Sequence, residues 1–246
     1  MKTNSIVLAT LGVALLFLTS CLGKNNPDYS NYYTGIVTVK TNPTTKAVYL
    51  QLDEKTTLLP TNLKEHPSKG KEVRALVNYK DDKKAPHEGY TKAVHVLGLK
   101  EILTKNMVPS KEDNDAAYGK DPIGLGKEQC LIEDGYLTII FAARYGDSKK
   151  PHEINLVSGV DPKDPYTLEL RHNAKGDTNA RTIARAYAAF SLKDLPDTKG
   201  EKKALKIRFV TETGSQTINL DYVSGKKADP KAALPANRSI GDIVVE

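Results

Sequence analysis

One cysteine, at the end of an apolar run, carries the clearest chemistry in the sequence. The run from Ile6 to Leu18 contains no charge and follows Lys2. It is too short to span a bilayer and is typical of a secretory signal. Leu18-Thr19-Ser20 before Cys21 is the pattern of a bacterial lipoprotein processing site. We therefore expect a signal peptide at 1–20, with diacylglyceryl and N-acyl chains on Cys21. The alternative is an ordinary secretory signal with an unrelated cysteine.

Three adjacent polar residues, Arg171-His172-Asn173, form the first candidate binding site. They close a predicted strand and enter a predicted turn at 174–177. A guanidinium, an imidazole and an amide together could bind an anion or a sugar. The alternative is structural, in which Arg171 pairs with a carboxylate on a neighbouring strand while Asn173 shapes the turn. The sequence leaves both interpretations open.

The second candidate surface is the outer face of a predicted N-terminal barrel. We expect Tyr49, Gln51 and Tyr79 on this face, with Tyr90 beside them. Tyrosine offers stacking area with a polar tip, which suits ligand contact. The sequence has no tryptophan and only four phenylalanines, so this surface is a poor platform for strong stacking on sugars or bases.

The patterns of known catalytic and cofactor sites are missing from the sequence. It contains no Gly-x-Ser-x-Gly segment, and Gly124-Leu125-Gly126 is not followed by the helix start that a phosphate loop requires. The five histidines do not fall at metal-ligand spacings, and the acidic stretch at 112–121 lacks the EF-hand spacing. We therefore expect no catalytic residue, no metal and no cofactor beyond the lipid. A hydrolase remains the enzymatic alternative.

Charge and cysteine content narrow the classes of partner. Lysine and arginine number 36 against 30 aspartates and glutamates, and the lysine pairs lie beside glycine, aspartate or proline, where solvated turns are expected. A nucleic-acid surface would need basic residues concentrated on one face, so we expect no nucleic-acid partner. If Cys21 is lipidated, Cys130 has no disulfide partner, and its apolar neighbours indicate that it packs as a small hydrophobic residue. A reactive thiol at Cys130 is the alternative.

Alternating residues in the first half predict a small barrel. Residues 21–31 are rich in asparagine and lack periodicity, which indicates a tether. The ten residues after Cys21, when fully extended, reach roughly 35 Å. From Tyr33 to Leu103, five to six short segments alternate between apolar and polar residues. This pattern is typical of a five-stranded barrel over 32–115. Alternation is lost from Thr104 to Gly126, which we interpret as a linker.

The second half predicts an antiparallel sandwich of about seven strands over 116–224. Residues 137–143 are apolar on both faces, which indicates a central strand covered on two sides, one of them by the first domain. Residues 225–246 contain too little apolar surface to pack, and we expect a flexible tail. The predicted fold class is therefore all-β.

Several segments of the sequence resemble those of one known family. The most specific is Leu168-Glu169-Leu170-Arg171-His172-Asn173. The others include Thr56-Thr57-Leu58-Leu59-Pro60, Arg74-Ala75-Leu76-Val77-Asn78-Tyr79, Asp134-Gly135-Tyr136-Leu137 and His152-Glu153-Ile154-Asn155-Leu156-Val157. Together they are similar to the NigD-like lipoproteins of Bacteroidota. The resemblance implies an N-terminal OB-like barrel followed by a C-terminal β-sandwich, in agreement with the strand patterns. It brings no established catalytic residues.

The resemblance also implies a location and a set of roles. We expect a lipid-anchored protein of the outer membrane that acts as a non-enzymatic binding or interaction module, with an envelope protein or peptide as partner. Family members at the cell surface often carry an acidic cluster after the lipidated cysteine. Here Gly23-Lys24-Asn25-Asn26 follows, so the periplasmic face is favoured. The alternatives are a bacteriocin-associated protein, in production or immunity, and an accessory subunit of an outer-membrane assembly.

Overall fold

The computed structural model describes residues 32–147, 150–177 and 182–225. The predicted signal peptide, Cys21, the tether and the tail from residue 226 lie outside these ranges. Within them, helical structure is limited to α1 (Asn114–Tyr118) and a 3-10 turn at Lys127–Gln129. No helix in the described ranges is long and apolar enough to span a membrane.

Five strands of the first half close into a barrel in the order β1-β2-β3-β5-β4. The barrel closes because β1 pairs with both β2 and β4, and β3 pairs with β5 in parallel. The OB-like prediction is confirmed. The strands are β1 (Tyr32–Thr41), β2 (Val48–Gln51), β3 (Thr57–Pro60), β4 (Val73–Asp81) and β5 (Lys92–Glu101).

The alternation of side chains along each strand determines which residues face the barrel interior. On β1, Val37 and Val39 are fully buried, and on β4, Ala75 and Val77 point into the same cluster. Successive residues of a strand face opposite sides of the sheet, so these positions share the interior face. Pro60 is the last residue of β3, and proline is tolerated at a strand end where its missing N–H is not needed.

The second half forms two sheets, ordered β14-β13-β11-β10-β7 and β6-β12-β9-β8. All seven predicted strands are present. The prediction of an antiparallel arrangement needs one correction, because the pairs β7–β10, β6–β12 and β11–β13 are parallel. The strands are β6 (Leu103–Asn106), β7 (Val108–Pro109), β8 (Cys130–Glu133), β9 (Tyr136–Tyr145), β10 (Glu153–Ser158), β11 (Thr167–Asn173), β12 (Thr182–Ser191), β13 (Lys203–Thr211) and β14 (Gly214–Tyr222).

The stretch interpreted as a linker contains two of these strands. β6 and β7 lie within or just before 104–126, and each joins a sheet of the sandwich. They have four and two residues, too few for a period of two to be recognised. Sheet pairing therefore moves residues 103–109 from the barrel range, predicted as 32–115, to the sandwich.

The barrel packs against the sandwich through β9, whose two faces belong to different clusters. Ile139 and Phe141 lie in the sandwich core, whereas Ile140 joins Ile36 and Ile102 in a cluster between the domains. The prediction of a central strand covered on both sides is confirmed. Only one residue, Ile102, separates β5 from β6.

Candidate functional site

Arg171 is fixed by two carboxylates. Its Nε donates to Glu169 Oε2 at 2.9 Å, and a terminal nitrogen binds Asp115 Oδ1, which α1 positions over the end of β11. Lys120 Nζ also donates to Asp115, at 2.8 Å. Lys120 and then Arg171 hold the pKa of Asp115 below its usual range. Arg171 thus belongs to an ion-pair network that joins β11 to α1.

His172 points the other way, into the sandwich. It is 2% exposed, and its Nε2 lies 3.0 Å from Nδ1 of the buried His152. Nε2 of His152 lies 3.3 Å from Asp177, which also accepts from the backbone N–H groups of Gly146 and Asp147. Burial, followed by the proximity of His152, lowers the pKa of His172 to about 4. The neutral imidazole is therefore the form held in the core.

Asn173 shapes the turn that follows β11. Its Oδ1 accepts from the N–H of Lys175 at 2.8 Å, and Lys175 and Gly176 have positive φ. This is the Asx geometry typical of tight turns. The three adjacent residues therefore serve three different environments, as the structural alternative requires. One detail differs, since the partners of Arg171 lie on its own strand and on α1. Ligand binding by these residues stays a prediction.

A groove opens beside Arg171 because β11 and β13 separate. They pair only over Thr167–Glu169 and Lys206–Arg208, after which residues 121–123 run between them. The N–H of Asp121 donates to the backbone oxygen of His172, and the N–H of Ile123 donates to the backbone oxygen of Val210. We call the resulting cavity of about 310 Å³ the β11–β13 groove. Its charged wall carries three cations, Lys120, Arg171 and Arg208, and two carboxylates, Asp121 and Glu169. Its hydroxyl wall carries Ser215 and Thr217.

A second cavity of about 530 Å³ adjoins the groove and is mainly apolar. The two cavities share Phe209, Gln216 and Thr217, so they form one surface with a charged part and an apolar part. Ile123 and Ile183 contribute to the apolar part. The surface therefore suits a partner that presents both an acidic and an apolar group.

Gly119 allows α1 to pack closely against β11. It ends α1 with φ of +80°, and a Cβ there would lie 2.6 Å from the backbone oxygen of His172 and from Cβ of Asn173. A side chain at this position would push α1, and with it Asp115, away from Arg171. The groove thus depends on a glycine as well as on charged residues.

The structure does not bring together the three residues predicted for the barrel surface. Tyr49 packs near Tyr90, with ring centroids 5.6 Å apart. Tyr79 faces the barrel interior and stacks on Tyr33 at 5.4 Å, and burial raises its pKa to about 12. Gln51 is 6% exposed and donates to the backbone of Asp53.

The outer face of the barrel near Gln51 is covered by the sandwich. Gln51 pairs with Thr38 of β1, and Thr38 accepts a hydrogen bond from Arg74 at 2.9 Å. Arg74 is fully buried and reaches Glu133 of the sandwich at 2.8 Å. The expected single ligand surface on this face is therefore wrong, because part of the face is an interface between domains.

Sequence reasoning missed Arg74. An arginine between two inward-facing residues of a strand is predicted to lie on the outer face and to be solvated. Arg74 does lie on the outer face of the barrel, but it is buried. A signal was present nonetheless, since Ile36 and Leu76 are apolar at outward positions of β1 and β4 and join the interdomain cluster. Apolar residues on the outer face of a small barrel indicate that something covers that face.

Metal and thiol chemistry find no support in the described ranges. No group of three or more His, Cys, Asp and Glu side chains there could hold a metal ion. Cys130 is partly buried, and burial raises the pKa of its thiol to about 12. A thiol of this kind is a poor nucleophile at neutral pH.

The strand order of the barrel and the two sheets behind it define the chain as an OB-barrel and β-sandwich protein. Family models give the same division, since residues 36–102 match the NigD-like N-terminal OB domain and residues 106–222 match the NigD-like C-terminal beta sandwich domain. The chain therefore belongs to the NigD-like family, as the sequence motifs indicated.

Solved structures share the fold over most of this chain. A protein of Parabacteroides distasonis, provisionally named toxin-related, is 35% identical with a TM-score of 0.70, and the match covers 79% of this chain and 95% of that one. A NigD-like immunity protein of Bacteroides caccae is 21% identical with a TM-score of 0.58, covering 78% and 97%. A protein of Bacteroides fragilis, provisionally named a lipoprotein, is 12% identical with a TM-score of 0.54, covering 79% and 99%. A comparison with curated protein sequences gave no match.

Proposed function

We propose that this chain is a lipid-anchored protein of the cell envelope that binds a peptide or protein partner and catalyses no reaction. The β11–β13 groove carries this proposal. Its cations are held in place by ion pairs, Arg171 by Glu169 and Asp115 and Lys120 by Asp115. Charged groups fixed in this way are suited to recognition, because little side-chain entropy is lost on binding.

The anchor rests on the segment before Cys21. The name of the Bacteroides fragilis structure supports it, although that protein shares only the fold. The outer membrane, on its periplasmic face, is the proposed location. Replacement of Cys21 by serine should abolish incorporation of labelled fatty acid and release the protein from membranes. Protease added to intact cells should leave the wild-type protein uncut, and cleavage would instead place the body at the cell surface.

A role in immunity to a peptide bacteriocin is the second candidate. Two structural relatives carry the words toxin related and immunity protein in their names, and one of them is 35% identical to this chain. The groove has one more cation than carboxylates and adjoins an apolar part, so it fits an acidic amphipathic peptide more directly than a cationic one. The charge of the toxin is therefore the property to vary. An accessory subunit of an outer-membrane assembly would instead co-purify with other envelope proteins.

The experiment compares deletion strains complemented with matched charge reversals. Arg208→Glu reverses a charge in the groove, at a side chain that is 46% exposed. Lys202→Glu makes the same change before β13, at a side chain that is 67% exposed and outside the groove. If the groove binds the partner, the first variant should fail in complementation and in pull-down from solubilised membranes, and the second should behave as wild type. Equal behaviour of the two would contradict a binding role for the groove, and unchanged bacteriocin sensitivity on deletion would contradict immunity.

A further inference from the structure

Most of the large exposed hydrophobic side chains in the described ranges lie on the barrel. Four large hydrophobic residues are exposed there and on the sandwich, and three of them belong to the barrel: Tyr32 at 41%, Tyr33 at 42% and Leu97 at 47%. The fourth, Ile183, is 67% exposed and lies on β12 of the sandwich. Clustering of three such residues on one small domain indicates a contact surface.

Strand register places the backbone of the three residues at a similar level of the barrel, with Tyr33 on the interior side beside Tyr79 and Tyr32 on the outer side of the wall. Tyr32 pairs with Lys80 of β4, and Lys80 pairs with His95 of β5, two residues before Leu97. Neighbouring strands lie about 4.8 Å apart, so the first and third of these strands are roughly 10 Å apart. The pairing of β4 with β5 shifts between Asn78 and Tyr79, and Leu97 is left at this irregularity. A β-bulge of this kind commonly re-aims a side chain.

Lysines lie among these aromatic rings. Nζ of Lys92 lies 4.8 Å from the centroid of the Tyr33 ring and forms an ion pair with Asp81 at 2.7 Å. Lys80 is exposed beside Tyr32. Tyrosine rings next to lysines are typical of surfaces that sit at the level of lipid headgroups, where the rings are half immersed and the ammonium groups meet phosphates.

The position of this patch, at the start of the barrel and soon after Cys21, points to the anchoring bilayer as its partner. Ten residues, 22–31, connect Cys21 to Tyr32, and even fully extended they reach only roughly 35 Å. A short tether makes binding to the anchoring bilayer an intramolecular event, so a weak surface is enough to hold the contact. We propose that the N-terminal patch, formed by Tyr32, Tyr33 and Leu97 with Lys80 and Lys92, lies against the phospholipid bilayer that holds the acyl chains of Cys21. This inference rests on the proposed lipid anchor.

The absence of tryptophan from the sequence makes the proposal directly measurable. A single Leu97→Trp or Tyr33→Trp substitution introduces a unique fluorophore into the patch, and Ile183→Trp provides a matched control at a more exposed site. Each full mature lipoprotein is reconstituted in vesicles of phosphatidylethanolamine and phosphatidylglycerol with brominated acyl chains. Side chains at the headgroup boundary lie about 5–10 Å deep, so roughly half of the emission from both patch variants should be quenched. The Ile183→Trp variant should keep its emission.

Four outcomes would overturn the proposal. Equal quenching at the patch and at the control site would show that the protein contacts the bilayer without a preferred surface. Unquenched emission from both patch variants, in protein whose mass shows the diacylglyceryl group on Cys21, would remove the patch while leaving the anchor intact. A protein mass that lacks the diacylglyceryl group would contradict both the lipid anchor and the contact of the patch with the bilayer. A blue shift of the tryptophan emission that grows with protein concentration, and is the same with and without brominated lipid, would assign the patch to a second copy of the chain. Circular dichroism of each variant confirms that it is folded.

Discussion

Replacement of Arg74 by methionine should be among the most damaging single changes in the described part of the protein. The guanidinium is fully buried and donates to Glu133 at 2.8 Å, to Thr38 at 2.9 Å and to Thr138 at 3.3 Å. Methionine fills much of the same volume but leaves a buried acid and two buried hydroxyls without their donor. Breaking a buried ion pair by removing one partner typically costs about 3–5 kcal/mol in the free energy of unfolding.

The loss of stability caused by Arg74→Met should depend on pH, because Glu133 ionises as the pH rises. Burial raises the pKa of Glu133 to about 7, with Arg74 acting in the opposite direction. An acid whose folded pKa is raised loses stability as the pH rises from its unfolded pKa to its folded one. In the wild-type protein this loss of stability ends near pH 7. In Arg74→Met the pKa of Glu133 in the folded state is higher, so stability continues to fall above pH 7. The difference between the two proteins should therefore grow above pH 7 by up to about 1.4 kcal/mol per pH unit.

Urea unfolding followed by far-UV circular dichroism at pH 6 and pH 9 measures both effects. Arg144→Met is the matched control, because Arg144 and its partner Glu212 are 49% and 61% exposed. An exposed pair of this kind contributes about 0–1 kcal/mol. Adding Glu133→Leu to Arg74→Met should recover stability at pH 9. A cost no larger than that of Arg144→Met, or one equal at both pH values, would refute a dry, charged interface between the domains.

Three further predictions concern the sandwich. Burial and the proximity of His152 lower the pKa of His172 to about 4, so the folded state disfavours protonation of this side chain. Acidification from about pH 6.5 to pH 4 should therefore lower the free energy of unfolding by up to roughly 3 kcal/mol. His172→Phe should flatten this slope in urea unfolding, and an unchanged slope would contradict the assignment. Gly119→Ala should lower the urea midpoint more than Gly176→Ala does, because both glycines have φ of +80° but only Gly119 has close neighbours; equal midpoints would exclude the clash. Burial raises the pKa of Cys130 to about 12, so iodoacetamide at pH 8 should label it slowly in the folded protein and quickly in urea. Rapid labelling without urea would show that the thiol is accessible and ionised.

Much of the fold was predictable because alternation reports which residues face a core. Val37 and Val39 on β1, and Leu168 and Leu170 on β11, are buried as a period of two requires. β6 and β7 were not recognised, since two to four residues hold no period, and both pair with strands distant in the sequence. Parallel pairing was missed for a related reason, because local patterns carry no information on which strands become neighbours.

The candidate sites were harder to predict because burial on the outer faces depends on a second domain. Gln51 has the pattern of a solvated barrel residue but is covered, and Arg74 has the pattern of a surface cation but holds the interface. For Arg171 the pattern allowed both binding and structure, and only the position of α1 showed that Asp115 reaches it. The contact between His152 and His172 required the register of β10 and β11, in which Ile154 faces His172.

The single residue between the barrel and the sandwich has a mechanical consequence. Ile102 is 5% exposed, and its N–H donates to the backbone of Arg74 at 2.8 Å, so the connection is itself part of the packed structure. No slack is available there to act as a hinge. A load applied at the start of β1 would pass through the barrel wall directly into the sheets of the sandwich. The barrel would then act as a stiff strut that keeps the β11–β13 groove at a constant distance from the start of β1.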